Sequence, residues 1–176
     1  IFAELHRSHG VDLRYRTTAA ELTGPHGAAT GVILSDGTKI DADMVIVGVG
    51  VVPRTELAAA AGLKIDNGIV VDEHLRTSDP DIFAAGDIAH AYNPRLGRHI
   101  RVEHWANARR QGVIAAKAML GQDVVDVRPS YFFTDQYDLG MEYAGHAPDY
   151  ERVVFRGDVA GREFVAFWLD ADNRVL

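Results

Sequence analysis

Apolar positions change their spacing from segment to segment along the chain, and those changes outline its elements. Phe2 to Ser8 has a helix-like spread that stops at Gly10, and "VDLRY", Val11 to Tyr15, reads as a strand. In "AAELTGPHGAATGVILSDGTKI" the glycine-containing turns "GPHG" and "SDGT" separate apolar segments, a hairpin or meander pattern. The run Met44 to Val47 is continuously apolar rather than alternating and ends at Gly48 and Gly50, which predicts a strand covered on both faces. "TELAAAAGL" predicts a short helix with Thr55 as N-cap and Gly62 just past its end. Ile69–Val71 predicts another short strand, and Ile82–Ala85 a buried strand that stops at Gly86 and Asp87.

The clearest periodicity lies in "VEHWANARRQGVIAAKAMLG". Ala106, Val113, Ile114, Ala116, Ala118, Met119 and Leu120 form the apolar side of a predicted helix. Asn107, Arg109, Arg110 and Lys117 form much of its polar side, and Gly121 ends it. From about Asp126 the pattern changes. Aromatic "SYFFTDQYDLG" is followed by the alternating segments "YERVVFRG" and "REFVAFWLD", joined around "GDVAG", a predicted antiparallel hairpin. Transitions near residues 50 and 125 divide the chain.

Composition narrows the classes. Of 176 residues, 47% are hydrophobic and 24% charged, as in an ordinary globular protein. No run of 18 apolar residues marks a membrane span, and nothing at the start reads as a signal segment. The opening "IFAELHRSHG" reads as the middle of a domain, so a piece of a larger protein is expected. A net charge of −7 argues against a nucleic-acid surface. Without Cys there is no disulfide, thiolate metal site or catalytic thiol in these residues, which fits a reducing compartment such as the cytoplasm. The eight His are scattered, with no HExxH, so no metal site is expected.

Four motifs in order carry a resemblance: "DADMVIVGVGVVPRTELAAAAGL", "GIVVDEHLRTSDPDIFAAGD", "RVEHWANARRQG" and "SYFFTDQYDLGMEYAG". The chain resembles the second half of FAD-dependent NAD(P)H:ferredoxin reductases of the putidaredoxin and rubredoxin reductase type, in the pyridine nucleotide-disulfide oxidoreductase superfamily. Two departures stand out. Neither Gly-x-Gly-x-x-Gly phosphate loop is present, so these residues alone are expected to bind FAD or NAD(P)H poorly, and Phe133 replaces a Trp frequent in relatives.

The resemblance implies an α/β fold. It would comprise parts of two Rossmann-like, glutathione-reductase-like dinucleotide-binding domains, followed by the start of an α+β interface domain. Residues 1–50 would be the latter part of the NAD(P)H-binding domain, 51–125 the returning segment of the FAD-binding domain, and 126–176 an incomplete interface domain. The implied activity carries electrons from NAD(P)H through FAD to a [2Fe–2S] ferredoxin or similar carrier, with no side chain here acting as acid, base or nucleophile. An NADH oxidase, a monodehydroascorbate- or nitrite-reductase-type flavoprotein, and a binding protein that has lost the cofactor stay open.

For the site, the resemblance implies that Asp87 accepts a ribityl hydroxyl of FAD where Gly86 lets the backbone approach, the alternative being an Asp that only caps a turn. Trp105 and Ala106, at a helix start, would meet the flavin ring. Glu103 and His104 would lie on the nicotinamide side, as would Gly48 and Gly50, whose alternative is a plain turn. Trp105 as a core anchor and Glu103 as a helix-start acid are the corresponding structural alternatives. The segment Asn93–Arg110 sets Arg95, Arg98, Arg101, Arg109 and Arg110 against the one acid Glu103, a basic patch suited to an acidic ferredoxin unless these arginines are solvated or paired internally.

Overall fold

The computed structural model describes residues 1–176, which divide into two compact units, Ile1–Val51 and Val52–Leu176. In the first, helix α1 (Phe2–Ser8) buries Leu5 and is followed by an antiparallel meander of β1 (Ala19–Thr23), β2 (Gly31–Leu34) and β3 (Lys39–Asp41). The β2–β3 turn is set by its own side chain: the Asp36 carboxylate accepts the Thr38 N–H at 2.9 Å, and Gly37 supplies a φ of 84°. That bond holds the Asp36 carboxyl below its ordinary value.

Two expectations fail in this unit. Val11–Tyr15 forms no strand: the segment finds no partner, and the chain turns at Arg16, whose φ is 56°. Met44–Val47 is also unpaired. Met44 and Ile46 are 75% and 87% exposed, because two-faced burial needs neighbouring strands and none in this chain lies against the run.

The second unit is built around β4 (Ile69–Val71), β5 (Ala89–Asn93) and β6 (Arg98–Arg101), with β5 parallel to β4 and antiparallel to β6. Ile69, Val71, Ala89 and Ala91 pack with Leu75, Ala84, Ile114 and Ala115 into one core, joined by Ala58 of helix α2 (Glu56–Ala60). Thr55 precedes α2 as expected but gives no side-chain cap, while Gly62 stands just past its end at φ 77°.

Helix α3 (Trp105–Met119) forms where the periodicity predicts, and Gly121 follows its end at φ 76°. Its buried face is shifted from the one expected: Asn107, Ile114, Ala115 and Ala118 are buried, whereas Val113, Met119 and Leu120 are exposed. Asn107 tolerates burial because its side-chain amide donates to the Val102 carbonyl at 3.2 Å.

Ile82–Ala85 departs from expectation as well. Only Phe83 makes a strand-like bridge, to Arg76, and the strand begins after the Gly-Asp pair. Gly86 explains the break. Its φ of 78° opens a 3₁₀ turn, Gly86–Ile88, that interrupts the extended backbone. Beyond α3 come two hairpins, β7 (Tyr131–Gln136) with β8 (Leu139–Ala144), and β9 (Arg152–Asp158) with β10 (Glu163–Leu169). The second is the hairpin read from the alternation, its connection held by Asp158, which accepts the Gly161 N–H at 2.9 Å.

Candidate functional site

Three features of the second unit converge on helix α3. The first is the Gly86–Ile88 turn, against which the helix packs closely: a Cβ placed on Gly86 would lie 3.4 Å from the Cβ of Ala108. The Gly86 N–H donates to Oε1 of Gln111 at 2.8 Å. The next residue, Asp87, is exposed; its carboxylate caps nothing and makes no hydrogen bond or ion pair within the chain. Its backbone carbonyl accepts from Arg101 at 3.1 Å. The turn-capping alternative for Asp87 is therefore not what the fold uses.

The second feature is the start of α3. Trp105 and Ala106 are its first residues, so their N–H groups have no carbonyl partner within the helix, and His104 ahead of them gives no side-chain cap. Trp105 is 68% exposed, so it anchors no core within this chain, and the Arg109 guanidinium lies 4.7 Å from its ring centroid. Glu103 stands before the helix rather than in its first turn and pairs with Arg101 at 2.5 Å.

The third is an open cleft of about 450 Å³ lined by Glu103, His104, Trp105, Ala106 and the β7 residues Tyr131, Phe132 and Phe133. The His104 ring lies 4.8 Å from that of Phe132, and its Nδ1 is buried without a partner. Phe132 continues to Tyr143 at 5.4 Å, and Tyr143 to Trp168 at 5.8 Å. Partial burial, and after it the charge and hydrogen bond of Glu142, push the Tyr131 hydroxyl above its ordinary value. The sequence reading missed β7 as a wall of this cleft; the aromatic triplet Tyr131–Phe133 was its only signal.

Helix α3 also anchors that wall. Both terminal nitrogens of Arg110 donate to the Pro129 carbonyl, at 3.2 and 3.3 Å. Its Nε lies 3.1 Å from Asp126, off the hydrogen-bonding axis, so the two form an ion pair, and Arg128 binds the same carboxylate at 2.8 Å. Partial burial works to raise the Asp126 pKa, but the bonds from Arg128 and the charge of Arg110 outweigh it and hold the carboxyl below its ordinary value.

The basic cluster accordingly splits. Arg101 and Arg110, with side chains 13% and 18% exposed, are engaged inside the chain, which leaves Arg95, Arg98 and Arg109 as the outward charges; Arg98 lies 3.9 Å from Asp149. Gly48 and Gly50 lie in the first unit, and no atom comes within 4 Å of a Cβ built on either, so nothing in this chain requires a glycine there for close approach. Gly50 does adopt a φ of 93°.

These residues suit a flavin nucleotide. An unpaired carboxylate can accept from polyol hydroxyls, the free N–H groups of the α3 start favour partial negative charge, and the adjoining aromatic cleft can receive a planar ring, whereas Gly86 is buried and its missing Cβ makes room for Ala108 of α3.

The fold and this site define a class. The chain belongs to the pyridine nucleotide-disulphide oxidoreductase family, whose model matches residues 1–112, and a reductase C-terminal model matches residues 131–176. More particularly, it is 40% identical to putidaredoxin reductase of Pseudomonas putida over 99% of this chain and 42% of that protein. It is 39% identical to the ferredoxin–NAD(+) reductase component of the anthranilate 1,2-dioxygenase system of Burkholderia cepacia, over 98% and 42%. Among solved structures, it matches the covalent putidaredoxin reductase–putidaredoxin complex with a TM-score of 0.93 at 40% identity, covering 99% of this chain and 42% of that one. A ferredoxin reductase from Rhodopseudomonas palustris gives 0.90 at 41%, covering 97% and 42%. The α/β oxidoreductase class expected from motif order is thus the one found. The chain spans about two fifths of the length of these curated relatives.

Proposed function

We propose that the protein containing this chain is an FAD-dependent NAD(P)H:ferredoxin reductase, working in the cytoplasm and delivering electrons to a [2Fe–2S] ferredoxin or similar carrier. Residues 1–50 belong to its NAD(P)H-binding domain, 51–125 to its FAD-binding domain and 126–176 to its interface domain. The observation that carries the reading is the Asp87 carboxylate, exposed and unpaired on a turn fixed from behind by α3. A charged acceptor left without a partner in a folded chain is available to a ligand, and a ribityl chain offers the hydroxyl donors it lacks.

In this reading FAD, when bound, supplies the conversion between a two-electron donor and a one-electron acceptor. The chain's own residues bind and screen it. Asp87 would hold the ribityl chain, Gly86 would give the turn the conformation that presents Asp87, and the Trp105 and Ala106 N–H groups would favour the electron-rich edge of the ring. Trp105 and Phe132 would shield the ring from water, Glu103 and His104 would line the side that the nicotinamide approaches, and Gly48 and Gly50 would let their own backbone pass close to a nicotinamide. Arg95, Arg98 and Arg109 attract the carrier by long-range charge.

The test is a coupled assay on the intact protein. It should purify yellow, bleach with NADH or NADPH, and reduce cytochrome c only when a [2Fe–2S] ferredoxin is added. A colourless intact protein, or fast oxygen consumption that ignores the ferredoxin, contradicts the proposal.

A further inference from the structure

The α3 residues Asn107, Arg110 and Gln111 stand at i, i+3 and i+4, on one side of the helix. Asn107 holds the segment before the helix, Arg110 the segment before β7, and Gln111 the turn that carries Asp87. The third bond is the most consequential. Gly86 is buried at φ 78°, a conformation the turn needs in order to project the following side chain outward, and its N–H has Gln111 Oε1 as acceptor at 2.8 Å. Asp87 has no bond of its own to fix its carboxylate.

We infer that Gln111 is a positioning residue for flavin binding, holding the Gly86 N–H so that the Asp87 carboxylate is preorganised for the ribityl chain. The inference rests on the flavin reading above. Asn107 and Arg110 tie other segments to the helix and do not reach the turn, so among these α3 side chains the role falls to Gln111, while Arg101 of β6 holds the Asp87 carbonyl at 3.1 Å. An apolar side chain at 111 leaves a partly buried N–H without an acceptor and frees the turn to rotate away. A glutamate restores an oxygen at the same reach.

The experiment measures FAD dissociation constants and Gly86 amide exchange in the intact apoprotein for Gln111→Met, Gln111→Glu, Asp87→Ala and the double variant Gln111→Met/Asp87→Ala. The expected result is about tenfold weaker FAD binding in Gln111→Met, the size of one lost hydrogen bond. Gln111→Glu should stay within about twofold, because the acceptor is retained. The double variant should bind no more weakly than Asp87→Ala, since the glutamine acts through that carboxylate. Gly86 exchange should accelerate in Gln111→Met while Val71 stays protected, which separates loosening of the turn from loss of the fold. Wild-type affinity in Gln111→Met, failure of glutamate to rescue, or full additivity with Asp87→Ala overturns the inference while leaving the flavin reading standing. Undiminished affinity in Asp87→Ala removes both.

Discussion

Leu75 is 3% exposed and carries a φ of 68°, a left-handed backbone that costs a branched side chain about 1 kcal/mol. Two forces hold it there. The Asp72 carboxylate accepts the N–H groups of His74 and Arg76, each at 2.9 Å, and the side chain is buried in the core beneath β4 and β5. Truncation should show both: Leu75→Ala is expected to lower unfolding free energy by about 2–4 kcal/mol in urea titrations. Leu75→Gly should be no less stable than Leu75→Ala, reversing the usual order of the two substitutions, because glycine relieves the strain. Asp87 is the opposite kind of residue. Nothing in the chain uses its carboxylate, and the sequence points to a ligand role only through the surrounding motif, since an isolated Gly-Asp reads better as a turn cap.

Helix α3 was legible because fifteen residues of one period outweigh local ambiguity, yet its buried face was not, because Asn107 is polar by type and buried through the Val102 carbonyl. Short runs were harder to read. Ile82–Ala85 has strand composition, but Gly86 ends the extended backbone and the strand follows it. The β7–β8 hairpin escaped notice because its two-residue turn, Tyr137–Asp138, has no glycine and places Tyr137 at φ 57°. What joins α3 to β7 is the Arg110–Asp126–Arg128 group. The folded carboxyl of Asp126 lies below its unfolded value of about 3.9, so it stabilises the fold above that pH and loses the contribution as pH falls through the lower, folded value. Asp126→Asn should therefore cost about 1–3 kcal/mol at neutral pH, and the gap from wild type should close below about pH 4 in denaturant titrations.

Across the whole molecule, a net charge of −7 coexists with a local surplus of arginine, of which the fold spends Arg101 and Arg110 internally. Docking should depend on the outward members. Arg95→Glu, at an exposed arginine that touches none of the proposed flavin residues, is expected in the intact protein to raise the KM for an acidic ferredoxin about tenfold at low salt, an effect that fades as ionic strength shortens the range of the interaction. NADH-driven flavin reduction should change far less. The largely exposed run Met44–Val47 shows why part of the fold could not be judged from pattern alone: continuous apolarity announces burial without naming the neighbour that provides it. The most direct measurement is the FAD affinity of the intact protein with Asp87 replaced by alanine. Loss of a charge-assisted acceptor predicts binding weaker by about ten- to a hundredfold, at an apoprotein unfolding midpoint close to wild type. An unchanged dissociation constant would contradict the account.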